Sequence, residues 1–218
     1  LFSSPTNAAL AINGLYIASF HDRLGYQMYW PAAWGARNQE FSYYNDNTNN
    51  DLQWNSGWTQ NYWIWRNYYR AINACNSAIA GIEGMSSDII TEAERTALLA
   101  EAYMHRGHNY VEILCWWGGA PILLEPTNNP EEAFKERSNA QAVFDQAKSD
   151  LEFAQVNLPW NHKGGFPDNG RATSGSATSR LAQLYMRASG EQFKGNAAVG
   201  GDANFNNLGD HWAAARAG

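Results

Sequence analysis

The chain has 218 residues, enough for one sizeable core, or one domain and part of a second. Its net charge of −6, its charged fraction of 17%, and the absence of any Lys/Arg cluster exclude a nucleic-acid footprint and polybasic membrane attraction. Ten Trp and eleven Tyr mark a surface built for contact, because each offers a flat apolar face with a polar tip.

The first predicted helix covers about residues 6–23, with Leu10, Ala11, Leu15 and Ala18 along one side. Periodicity then gives way, over about 24–58, to a stretch rich in aromatics, Asn and Gly. A loop of that length inside a compact domain is functional or disordered, and its large aromatics argue against disorder. A second helix is predicted over 59–82, where Trp65, Tyr69, Ile72, Asn76 and Ile79 form a buried stripe. Thr91 and Glu94 make a capping box that opens a third helix. Ala97, Ala100, Met104, Gly107, Val111 and Leu114 lie on one face of it, and Gly118-Gly119 followed by Pro121 ends it.

Ser138 and Gln141 open a fourth helix that stops before Pro159, and Thr173 caps a fifth through 189. A Gly/Asn-rich insert follows, and positions 210–217 begin a sixth helix. No alternating strand pattern emerges, so the class is all-α. Leu99-Ala100-Glu101-Ala102-Tyr103-Met104 is echoed by Leu181-Ala182-Gln183-Leu184-Tyr185-Met186. Both hold Leu-Ala-x-x-Tyr, close to the first helix of a tetratricopeptide repeat, where a small residue admits a neighbouring helix.

The longest apolar run, 116–124, is broken by Gly118, Gly119 and Pro121 and falls short of the roughly 18 residues that span a bilayer. The chain has no initiator Met and no basic-then-apolar leader at Leu1, and it stops as a helical pattern begins. The expectation is an N-terminal part of a longer mature protein, whose C-terminal half lies elsewhere. Cys75 and Cys115 sit on neighbouring helices, displaced by roughly 24 Å along the axis, which is beyond disulfide reach. Both are expected as free, mostly buried thiols.

Several of these segments carry a resemblance. Trp65-x-x-x-Tyr69-x-x-Ile72-x-x-x-Asn76, then Ala100-Glu101-Ala102 with Arg106, Tyr110 and Gly118-Gly119-Ala120-Pro121, resemble the signature blocks of the SusD/RagB family of outer-membrane nutrient-binding lipoproteins. Arg137-Ser138, Asp150-Leu151, Leu158-Pro159 and Gly170-Arg171-Ala172-Thr173 follow in that family's order, and 8–16 is similar to its first helix. The chain departs from the pattern at His105 and His108, where aliphatic or aromatic residues are usual. It departs also at Gly107, usually Ala, and at Gln183, where Arg is common.

The resemblance implies a tetratricopeptide-like α-α superhelix with long aromatic-rich loops. It implies a protein held on the outer face of the outer membrane by an N-terminal lipid absent from this chain. Such proteins cover a TonB-dependent transporter and bind oligosaccharides without cleaving them, although some relatives take peptides. No cofactor or metal is required.

Candidate ligand residues come from the 24–58 stretch, where nine aromatics mix with Asn, Gln and Asp. Sugar recognition needs that mixture: flat faces for pyranose C–H surfaces, amides and carboxylates for hydroxyls. Asp46, Trp54, Asn55 and Trp58 are the candidates, the last three flanking the entrance to the second helix. Most of the other aromatics are expected to fix the loop against the helices. The Asn/Asp run at 45–51 lacks the glycine and the twelfth-position acid of a calcium loop.

Glu101, His105, His108 and Glu112 lie within roughly a 60° arc of one helix, with Cys115 continuing the line. That row is the one pattern that could carry a helical metalloenzyme, which needs matching ligands from a facing helix. Satisfied, partly buried histidines are the default expectation, with a structural role for Glu101. Asn76 and Arg171 are expected to satisfy buried backbone groups. The alternatives to a glycan receptor are thus a peptide- or protein-binding helical scaffold and, behind it, a metalloenzyme.

Overall fold

The computed structural model describes residues 2–19, 59–160 and 170–189, and among them every regular element is helical. In chain order these are α1 (Pro5–Ser19), α2 (Thr59–Glu83), α3 (Glu92–Trp117), α4 (Pro130–Ala133), α5 (Ala140–Asn157) and α6 (Ser174–Ala188). Helix α3 is the hub and touches α1, α2, α5 and α6. The short turn between α2 and α3 folds them back on each other, and α5 and α6 likewise pack side by side, as in a stack of helical hairpins. The all-α, tetratricopeptide-like class read from the sequence is the observed one.

Helix ends follow local chemistry. Thr91 accepts from the Glu94 amide while the Glu94 carboxylate accepts from the Thr91 amide. Gly118, at φ 68°, ends α3 in a conformation costly for side-chain-bearing residues. The orphan carbonyls at helix ends are met by arginines. Arg95 donates to Ile82 O (2.6 Å) and Met85 O (2.7 Å) past the end of α2. Arg137 donates to Trp117 O (2.7 Å) and Gly119 O (2.8 Å) past the end of α3.

The sequence reading is corrected at three points. In α1 the inward residues are Ala8, Ile12, Leu15 and Ser19, while Leu10 is 59% exposed. The helix is apolar nearly all round, so its pattern gives no preferred face. The cap of α5 is Asn139, whose Oδ1 accepts from the Ala142 amide at 2.8 Å; Ser138 instead donates its amide to Ala120 O. Asn129 and Pro130 open the short helix α4, which was not expected. The segment after residue 189 lies outside the described residues, including the expected helix at 210–217.

Cys75 and Cys115 are both free, as expected. Two apolar clusters form the interior. One joins Tyr68, Ile72, Tyr110, Leu114, Phe144, Leu151 and Leu184, and the other joins Ile12, Leu15, Cys75, Ile82 and Leu99. Helices α3 and α5 approach closely at Gly107. A Cβ there would stand 2.9 Å from Leu151 Cγ, 3.1 Å from Asp150 Cβ and 3.2 Å from Ala147 O. Overpacking of roughly 1–3 kcal/mol outweighs the helix-propensity gain of about 1 kcal/mol. Gly107→Ala is therefore expected to lower stability by about 1 kcal/mol in urea unfolding followed by circular dichroism; an unchanged midpoint would show that α5 moves aside freely.

Candidate functional site

The sequence-predicted ligand residues Asp46, Trp54, Asn55 and Trp58 all lie outside the described residues. What the structure does show is the polar face of α3 and the end of α1, the helix from which the aromatic stretch departs.

The Glu101-His105-His108-Glu112 row is buried along its whole length, at 5%, 3%, 8% and 6% exposure. It does not converge on one point but divides between two partner helices. The N-terminal half meets α1. Glu101 Oε2 accepts from Tyr16 Oη at 2.6 Å, and Glu101 Oε1 accepts from Arg171 Nη2 at 2.7 Å. Tyr16 Oη in turn accepts from the Ala172 amide at 2.7 Å, and Arg171 Nη1 donates to Asn13 Oδ1 at 2.9 Å. One turn on, His105 Nδ1 lies 3.1 Å from Ser19 Oγ, and Asn109 Nδ2 donates to the same oxygen at 3.2 Å. The His105 and Tyr16 rings meet edge to face, with centroids 4.3 Å apart.

Tyr16 and Ser19, spaced by three on α1, therefore face Glu101, His105 and Asn109, spaced by four on α3, while Asn13 joins through Arg171. Matching side-chain rows on two helices make a seam. It closes on Ser19, the last described residue before the aromatic stretch.

The C-terminal half of the row meets α6. Glu112 Oε1 accepts from Arg180 Nη1 at 3.1 Å and Arg187 Nη1 at 3.3 Å. Arg180 also donates to His108 Nδ1, and Arg187 Nη1 donates to Cys115 Sγ at 3.0 Å. A metal site requires free nitrogen lone pairs and uncompensated carboxylates. Here two guanidinium cations occupy that space, and among the described residues no group of three His, Cys, Asp or Glu side chains comes together. The row that offered a metal centre in sequence is a set of interhelical pairs.

Behind the seam, Arg106 makes a bidentate pair with Asp150 at 2.8 Å for both bonds. Its Nη1 donates to Asn76 Oδ1 at 3.0 Å. Asn76 Nδ2 donates to Leu123 O and Glu125 O at 2.9 and 3.1 Å, which is the backbone role expected of it. For Arg171 the described bonds go to the Glu101 and Asn13 side chains. Sequence reading missed Arg180 and Arg187 as partners of the row. Their seven-residue spacing on one face of α6 was the available signal.

Burial governs the titration of these groups. Desolvation, with Arg171 nearby, lowers His105 to about 4, and desolvation beside Arg180 lowers His108 well below its ordinary value. Burial next to Glu101 raises the Tyr16 hydroxyl, and burial raises the Cys115 thiol to about 11. Cys115 is therefore a thiol at neutral pH, a packing group and not a nucleophile.

Three comparisons bear on this geometry. A family model of SusD-like proteins, described as starch-binding and associating with the outer membrane, matches residues 24–186. A SusD-like protein of Bacteroides ovatus is 30% identical over 128 residues, covering 58% of this chain and 22% of that protein. SusD-like protein P25 of Formosa agariphila is 29% identical over 123 residues, covering 56% of this chain and 23% of that one. The matches thus span less than a quarter of these curated relatives. A crystal structure with a xylogluco-oligosaccharide superposes with a TM-score of 0.70 at 25% identity, covering 95% of this chain and 39% of that one. Among the described residues no helix is long and apolar enough to cross a membrane.

A pH prediction follows from the buried imidazoles. An unfolded His gains a proton below about 6.5, whereas folded His105 stays neutral down to about 4. The unfolded state then binds more protons, so stability falls as pH drops through that window, by roughly 3 kcal/mol for this residue. His108 acts in the same direction. The fall in melting temperature between about pH 6.5 and 4.5 should be shallower in His105→Phe than in the parent. Parallel curves would show that His105 is protonated in the fold.

Proposed function

The chain belongs to the SusD-like family, and on that premise we propose that it is the N-terminal helical part of a cell-surface receptor for oligosaccharides. The receptor captures an extracellular glycan by stacking and hydrogen bonding, without chemistry, and delivers it to a TonB-dependent transporter in the outer membrane beneath. The observation that carries this reading is the family match over 24–186, which takes in the aromatic stretch as well as the helices. The xylogluco-oligosaccharide held by a structural neighbour at 25% identity supports glycan as the ligand class.

The buried seam between α1 and α3 gives the helices their part in this. Ser19 is 2% exposed and bonded to two α3 side chains, so the chain enters the aromatic stretch from a fixed point. A fixed base lowers the ordering cost that a ligand-bearing segment would otherwise add to binding. Within the stretch, Asp46, Trp54, Asn55 and Trp58 are the proposed ligand contacts: the indoles stack on pyranose faces while the carboxylate and amide bond hydroxyls. The remainder of the longer protein contributes to linkage specificity.

Affinity electrophoresis of the full-length protein on a panel of polysaccharides tests this. Binding to one polysaccharide, weakened at least about tenfold in a Trp54→Ala/Trp58→Ala double variant, is the expected result. Binding that survives the double variant unchanged would place the ligand elsewhere. Binding to no glycan would refute the receptor reading in favour of a peptide ligand.

A further inference from the structure

At the last turn of α1, Ala18 faces Asn67, Arg70 and Ala71 of α2 across a cavity of about 250 Å³. Asn67 and Arg70 are one helical turn apart and so share a face of α2. Asn67 is 8% exposed, yet its Nδ2 has no hydrogen-bond partner. Arg70 is exposed and, among the described residues, engages in no ion pair or hydrogen bond. No acidic side chain is among the described lining residues. An unpaired buried amide donor lowers stability, and a charge-bearing acceptor would satisfy it best.

Two neighbouring polar side chains find partners within the fold. Ser19, adjacent to Ala18, is bonded to α3, and Asn73, two turns further along α2, makes bonds to both backbone groups of Thr127. The cavity is smaller than the roughly 300–1,000 Å³ of whole-ligand pockets. It fits one substituent and part of its ring.

We propose that this cavity is an anion subsite, taking a carboxylate or sulfate-ester group carried by the captured glycan. The Arg70 guanidinium supplies the charge and a forked donor set matched to a planar or tetrahedral oxyanion. Rotation of the Asn67 amide about χ2, a soft torsion, turns its NH₂ toward the same oxygen. A neutral hydroxyl gains no charge-assisted bond there, so the subsite discriminates acidic from neutral glycans. The inference rests on the glycan-receptor reading and narrows it to acidic glycans.

Isothermal titration of the full-length protein with an oligouronate, a sulfated galacto-oligosaccharide and a neutral gluco-oligosaccharide of equal length tests it. At least one acidic ligand should bind about tenfold or more tightly than the neutral one, and which one does names the anion. Arg70→Met and Asn67→Ala should each abolish that preference. Asn67→Ala should do so without lowering the melting temperature, because it removes an unpaired donor, and this separates a ligand role from a structural one. Equal affinity for acidic and neutral ligands, or a preference that survives both variants, would overturn the anion subsite and leave the receptor reading intact. Failure of every glycan to bind would overturn both.

Discussion

The arrangement depends on one buried ion pair. Arg106 and Asp150 are 7% and 2% exposed in their side chains, and they bond through two parallel contacts. Charges taken out of water at that depth stabilise a fold only when the geometry is close and the remaining donors are met. Both conditions hold. Asn76 takes a third Arg106 donor, Gln146 supplies Asp150 with a further bond, and the Tyr103 ring lies 4.9 Å beneath the guanidinium. Removing one partner would strand a charge, at a cost of roughly 3–5 kcal/mol. The pair therefore specifies more than it stabilises: it admits one register of α3 against α5. Through Asn76 the same register fixes α2 and the segment at 123–125. Gly107 lets α5 approach beside the pair without the crowding that a Cβ would add.

Once α5 occupies one side of α3, the polar row on its other side has to find partners on α1 and α6. Glu101 and His105 are met by Tyr16, Ser19 and Arg171; His108 and Glu112 are met by Arg180 and Arg187. The departures from the family pattern fall together here. Apolar residues at 105 and 108 would pack α1 and α6 by contact alone, with tolerance for sliding. Imidazoles kept neutral by burial bind at one registration, at the cost of an acid-sensitive interior. For a scaffold that holds a recognition segment, that exchange favours definition over bulk stability.

How much of this was legible in the sequence depends on whether a signal is local. Caps were: Thr91 with Glu94, Thr173, and Gly118 with Gly119 each mark a boundary by bonds that lie within four residues. Where two capping residues stand side by side, as at Ser138 and Asn139, sequence cannot choose, because the decision comes from Ala120 O drawing the Ser138 amide away. The face of α1 was illegible for a related reason. With apolar residues on all sides, only the position of α2 and α3 decides that Ile12 turns inward and Leu10 outward. The Glu/His row was legible as a row but not as a function, because its chemistry is set by arginines some 70 residues away. Seven-residue arginine spacing on α6 becomes informative only when the two helices are known to be neighbours.

This bears on how a binding site is recognised at all. Residue type drew attention to the histidines and glutamates of α3, yet each is bonded to side chains from elsewhere in the fold, and an engaged group has little left for a ligand. The better criterion is a buried polar atom that folding leaves unpaired, because such an atom lowers stability unless something outside the chain completes it. Among the described residues, Asn67, Asn109 and Glu112 each keep such an atom. On Asn109 (Oδ1) and Glu112 (Oε2) the unpaired atom belongs to a side chain already bonded across the α1–α3 and α3–α6 seams. Asn67 instead borders the cavity at the end of α1, beside a cation with no described counter-ion and next to the point where the aromatic stretch begins. That unpaired donor and the cation beside it are what the proposed anion subsite would complete.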